Sequence, residues 1–172
     1  MAERVLHTPV FDVERFAVER SDGEAHYVRL RAPDWCNVVP LTDDGQVVLI
    51  RQHRWGVDAP VLEIPGGMVD EGEDPAVAAL RELREETGYG GGELIELGWV
   101  FPNPAIQDNR CFLYAVRGAR VIGERHLDPG EDIAIELRAA SELPDLVASE
   151  AFPHALAVVS VQRVIARGLH VR

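Results

Sequence analysis

The chain has 172 residues, 47% of them hydrophobic, enough for a single folded unit with a real core. Its 29 acidic residues against 17 basic ones leave a formal net charge of -12. That balance argues against general nucleic-acid binding, which needs a basic footprint, and means that an anionic substrate would need local help from metal ions and arginines.

In chain order, Glu3, Arg4 and His7 stand where a secretory leader would need an apolar run. No apolar stretch is long enough to span a bilayer, so a soluble cytoplasmic protein without a membrane partner is expected. Residues 9–20 (PVFDVERFAVER) alternate loosely through Phe11, Val13, Phe16 and Val18, and Ser21-Asp22-Gly23 is a turn signal. Residues 25–32 (AHYVRLRA) read as a second strand, so this region is expected to be a hairpin laid on the main body. Trp35 follows, either as a packing aromatic or as a stacking wall for a nucleotide base. Residues 36–41 (CNVVPL) and 46–53 (QVVLIRQH) are strands joined at Asp43-Asp44-Gly45. Arg51 and Arg54 near the end of the second are solvated strand-end charges or contacts to substrate phosphate, whose oxygens match the guanidinium fork. Residues 61–65 (VLEIP) form a short strand into Gly66-Gly67, with Glu63 opposite Leu62 and Ile64 and free to pair with an arginine or reach a metal site.

The next stretch, Gly67 to Tyr89, reads GMVDEGEDPAVAALRELREETGY. Asp74 suits an N-cap, Pro75 the first helical position, and Gly88 a left-handed stop, which predicts a helix over residues 75–87. At about 100° per residue, Ala76, Leu80, Leu83 and Thr87 share one face, and Glu82, Glu85 and Glu86 share another. Three carboxylates within one turn repel each other. A hard divalent cation reverses the sign of that interaction, because carboxylate oxygens are the ligands Mg²⁺ and Mn²⁺ prefer. The Gly66-Gly67 pair lets backbone approach closely just before the helix, where a carbonyl can add a further oxygen.

Beyond the helix, Gly90-Gly91-Gly92 is expected to be a flexible connector and residues 93–101 a strand. A polar loop from Pro102 to Arg110 precedes the buried strand 111–117, and the acidic loop from Leu127 to Asp132 precedes strand 133–138. The chain closes with two helices, the first capped by Ser141 and the second over residues 154–167. Strands, one helix, strands, then helices read as α+β. Cys36 and Cys111 form no CxxC pattern and read as buried thiols, and the six histidines show no zinc-ligand spacing.

The string from Gly67 to Tyr89 resembles the Nudix box at every fixed position, a match expected by chance on the order of once in ten million such chains. The resemblance implies a Nudix hydrolase fold, with a mixed sheet sandwiched between helices and a single domain over 1–172. It implies hydrolysis of a nucleoside diphosphate linked to another moiety. Carried over by position, Glu82, Glu85 and Glu86 with the Gly66 carbonyl would hold Mg²⁺ (or Mn²⁺), and Glu85 would serve catalysis. Glu73 and Arg81 would tie loop to helix, alongside the structural glycines Gly67 and Gly88.

The N-terminal region, LIRQHR…LEIPGG and Pro104 are similar to the group that hydrolyses ADP-ribose and nucleoside diphosphate sugars. In that group the N-terminal strands, here residues 1–33, build a homodimer. PNPAIQDNR looks like members acting on nucleoside diphosphate sugars, which adds Pro104, Asn109 and Arg110 to Trp35, Arg51 and Arg54 as expected substrate contacts. The group's general base sits on a late loop, which points to Glu131 first and Asp128 second. Two alternatives stand beside this reading: a housecleaning nucleoside triphosphate pyrophosphatase, and a non-catalytic nucleotide-sensing domain. The N-terminal extension weighs against the first and the intact carboxylate set against the second.

Overall fold

The computed structural model describes residues 2–171. At the N-terminus, β1 (Glu3–His7), β2 (Asp12–Arg20) and β3 (Gly23–Arg31) form an antiparallel sheet in the order β1-β2-β3. The expected hairpin is therefore a three-stranded sheet. The extra strand, ERVLH, is too short and too charged to show an alternating apolar pattern. Cross-strand charges hold it in place. Arg15 meets Glu3 at 2.7 Å and Arg4 meets Asp12 at 3.3 Å, while Arg29 meets Glu14 at 2.6 Å between β3 and β2. Opposite charges across a strand pair stabilise it, weakly where they face water. Val5, Leu6, Val18, Tyr27 and Val28 remain exposed on this sheet.

The main body begins with β4 (Trp35–Leu41), β5 (Gln46–Arg54), β6 (Ala59–Glu63) and β7 (Gly66–Met68). Helix α1 (Pro75–Thr87) follows, then β8 (Tyr89–Gly90), β9 (Glu93–Val100), β10 (Cys111–Arg117), β11 (Arg120–Val121) and β12 (Ile133–Ala139). Helices α2 (Leu143–Ala148) and α3 (Ala155–Ala166) close the chain. The central sheet runs β12-β5-β4-β10-β9, with β6 added to β5 and β7 to β4. Only the β4–β10 pair in it is parallel.

Alternation along these strands sends side chains to two cores. On one face Val39, Val47, Leu49, Leu113 and Ala115 pack against Leu143, Phe152, Val161 and Val164 of the C-terminal segment. On the other, Cys36, Val38, Tyr114 and Val116 pack against Ala78, Ala79 and Leu83 of α1. The arrangement is the expected α+β one, a mixed sheet between helices. Cys36 and Cys111 are free and buried. Among the described residues, no helix is long and apolar enough to cross a membrane.

Two local expectations are corrected. The Gly90–Gly92 connector is partly paired, since Tyr89 and Gly90 of β8 face Val121 and Arg120 of β11. Ser141 caps no helix: it lies inside a 3₁₀ turn, Ala140–Glu142, and α2 starts after Glu142 without a side-chain cap.

Candidate active site

Helix α1 has the bounds its sequence predicts. The Asp74 carboxylate accepts from the Ala76 N–H at 2.8 Å, Pro75 opens the first turn, and Gly88 at φ 74° ends it by donating its N–H to the Arg84 carbonyl. The buried stripe differs from the expected one. Leu80 is 39% exposed, and the sheet is met by Ala78, Ala79, Leu83, Glu86 and Thr87. Small residues at 78 and 79 let the helix close onto Cys36 and Val38, which rotates Glu86 inward to 3% exposure.

The Gly66-Gly67 pair is not a free turn but strand β7, pairing Gly67 with Cys36 and Gly66 with Asn37 of β4. The Gly66 N–H donates to Glu86 Oε2 at 3.0 Å. A methyl group at Gly67 would stand 2.5 Å from the Glu82 carboxylate carbon, so glycine is what allows that carboxylate to lie against the strand. Arg81 gathers the remaining charges. It donates to both Glu73 oxygens at 3.0 and 2.9 Å, to Glu82 at 2.8 Å, and to Glu85 at 3.1 Å. Glu73 and Arg81 thereby join the box loop to the helix.

These carboxylates are under electrostatic pressure. Burial pushes Glu86 up to about 9, with Glu82 and Glu131 adding repulsion and the Gly66 N–H opposing. Burial also raises Glu82, with Arg81 pulling it back and Glu85 and Glu131 pushing it further. Glu131 is thus close enough for its charge to be felt by both box carboxylates and by Arg54. Its own Oε2 accepts from the Asp128 N–H at 3.0 Å. Among the described residues, no three carboxylate, imidazole or thiol groups already stand in a ready metal-binding arrangement. Arg81 engages Glu82 and Glu85, and Glu86 faces the Gly66 amide. The donor set still fits a hard divalent cation: the buried Glu86 carboxylate, the half-buried Glu82 carboxylate against Gly67, and the Glu85 carboxylate on the same helical turn.

An open cleft of about 540 Å³ reaches the box at Gly66 and Gly67. Its lining is mostly apolar and includes Trp35, Trp55, Val57 and Leu156, with Asn37, Arg54 and His154 as its main polar members. Of the expected substrate contacts, Trp35 and Arg54 line it and Arg51, Pro104, Asn109 and Arg110 do not. Arg54 and Arg51 are three apart on a strand and leave opposite faces of the sheet. Arg54 grips Glu63, which is 2% exposed, through two bonds of 2.6 and 2.9 Å, and Arg51 meets Glu136 at 2.9 Å. Glu63 therefore pairs with an arginine, one of the two roles open to it. Asn109 is 2% exposed and donates to the Pro33 carbonyl, while Arg110 pairs with Asp34 and lies 4.9 Å over the Phe112 ring. Both shape their loop.

That loop is fastened to β3. The Leu30 N–H donates to the Ile106 carbonyl at 2.7 Å, the Asp108 N–H donates to the Leu30 carbonyl at 3.4 Å, and Asp108 stands 3.2 Å from Arg31. Sequence reasoning passed over Trp55 and His154 as site residues. The signal for Trp55 was a tryptophan just past a strand end, where no core awaits it. His154 carried no local signal, since its neighbour Glu63 is distant in sequence.

A family model described as NUDIX domain matches residues 33–157, most of the chain. The chain belongs to the Nudix family. It shares the Nudix fold and is a hydrolase acting on nucleoside diphosphate derivatives. This Nudix protein is 30% identical over 135 residues to the "ADP-ribose pyrophosphatase" of Bacillus subtilis, covering 77% of this chain and 73% of that one. It is 36% identical over 95 residues to the "ADP compounds hydrolase NudE" of Escherichia coli, 54% of this chain and 50% of that one. Among solved structures it is similar to the "Crystal structure of ADP compounds hydrolase", with a TM-score of 0.86 and 26% identity over 98% of this chain and 93% of the other.

Proposed function

We propose that this Nudix hydrolase cleaves the pyrophosphate bond of ADP-ribose or a nucleoside diphosphate sugar, releasing a nucleoside monophosphate and a sugar phosphate, with Mg²⁺ (or Mn²⁺) as its ion. The observation that carries the reading is the convergence of the box carboxylates on Gly66 and Gly67, where a largely apolar cleft begins. The cleft suits the uncharged half of such a substrate, and the carboxylate end suits its diphosphate once a cation is present. The names of two relatives, one for ADP-ribose and one for ADP compounds, support the same class.

Glu82, Glu85, Glu86 and the Gly66 carbonyl are the groups that would hold the ion. Once bound, a divalent cation neutralises charge on the phosphate oxygens and makes water a better nucleophile. Glu131 is assigned to take the proton from the attacking water, because it lies on a loop near the box carboxylates and is not needed to bind the ion. Gly67 keeps Glu82 against the strand, and Arg81 holds the helix to its loop. The same reading takes the protein as a cytoplasmic homodimer formed through residues 1–33.

Turnover of ADP-ribose, several nucleoside diphosphate sugars and nucleoside triphosphates with Mg²⁺ tests the proposal. The diphosphates should be cut and the triphosphates spared. The reverse preference would replace this reading with a housecleaning role.

A further inference from the structure

Trp55 is 82% exposed, more than any other large apolar side chain among the described residues. It sits at the tip of the β5–β6 hairpin, on the lip of the cleft. With Val57, 67% exposed, it makes an apolar patch on a concave surface, the kind of place that a ligand or partner covers. The indole is held in place. The His53 ring meets it edge-on at 4.4 Å, the Val57 N–H donates to the Arg54 carbonyl at 3.1 Å, and Asp58 takes a left-handed φ of 50° to close the turn.

The cleft beside it offers flat, mostly apolar surface. Arg54 commits the Nε–Nη2 edge of its guanidinium to Glu63. His154 Nδ1 accepts from the Ala157 N–H, and its Nε2 faces Glu63 at 3.6 Å. Asn37 is largely buried. A ligand half that is flat, aromatic and uncharged fits such a wall.

We infer that Trp55 is the stacking platform for the nucleobase of the substrate, and that the site accepts several bases because it stacks the face they have in common. Every base has a π-face, so such a platform is tolerant of sequence. The inference rests on the diphosphate-hydrolase reading and deepens it.

ADP-glucose, GDP-glucose and UDP-glucose differ only in the base and provide the test. Wild type should turn over all three with KM values within about tenfold of one another, and W55A should raise each KM roughly 5- to 150-fold with kcat little changed. W55F should restore most of the loss. Calorimetric titration with AMP and with ribose 5-phosphate separates stacking from the reaction: W55A should weaken AMP binding and leave ribose 5-phosphate unaffected. If wild type cuts none of the three sugars yet binds AMP through Trp55, the diphosphate-sugar reading falls and the platform stands. The platform is overturned by wild type that does not bind AMP, by W55A with unchanged KM and AMP affinity, or by equal loss of both titrants. It is also overturned if W55A keeps its AMP affinity and changes the oligomeric state, which would make Trp55 a subunit contact.

Discussion

Glu86 is a carboxylate that folding takes out of water, with one backbone N–H as its hydrogen-bond partner. Burial disfavours its charge, and Glu82 and Glu131 disfavour it further. On the proposed ligand role, a side chain kept in that state serves the reaction at the expense of the fold. Glu86→Gln should therefore raise the melting temperature of the metal-free protein at pH 8 while cutting turnover on the order of 100-fold or more. Calorimetric melting and steady-state assays check the two halves. Wild-type turnover in saturating Mg²⁺ would remove Glu86 from the ligand set. Glu131 is the contrasting residue: half-buried, on a loop, and held by an amide of its own turn. A positioned base is worth about 10²–10⁴-fold, so Glu131→Gln should lower kcat by that factor with KM nearly unchanged. A loss under about tenfold excludes it, and a large loss in Asp128→Asn instead would keep the loop and change the residue.

At the scale of elements, α3 offers a pH test. His154 caps it, with Nδ1 accepting from the Ala157 N–H. Burial lowers the His154 pKa from 6.5, Glu63 opposes that shift, and Arg54 adds to it. The lowered value means the unfolded chain binds the proton more readily. The cap's contribution is therefore fully present above pH 6.5 and is lost as pH falls through the folded value. Melting temperature should drop on acidification below 6.5, and His154→Ser, which keeps a cap without titrating, should flatten that slope. An unchanged slope would assign it to other groups. Helix α1 was legible because its signals are local: Asp74, Pro75 and Gly88 fix its ends whatever it packs on. Its buried stripe was not, because Ala78 and Ala79 look unremarkable until Cys36 and Val38 are placed beneath them. Strand β7 is two glycines and a methionine with no intrinsic β preference, and exists through its pairing with β4. Similarly, the roles of Arg54 and Asn109 depended on Glu63 and Pro33, partners that no spacing rule announces.

For the whole molecule, the N-terminal sheet poses the open surface. Three strands joined by ion pairs leave Val5, Leu6, Val18, Tyr27 and Val28 exposed, and a small sheet of this kind needs a surface to pack on. Light scattering at micromolar concentration should report a dimer, and removing residues 1–33 should abolish it. A monomeric full-length protein defeats the proposal, and a dimer that survives the deletion moves the interface elsewhere. That sheet is also wired to the loop after β9 through Leu30, Ile106 and Asp108. Anyone grafting a relative's loop onto this scaffold to alter selectivity would leave Arg31 facing a vanished Asp108, with the backbone register at Leu30 to be remade. The transplantable cassette is loop plus strand, two pieces of chain separated by the whole of helix α1. Laboratory shuffling with single crossovers would therefore separate them, and selections should recover them mainly as double exchanges.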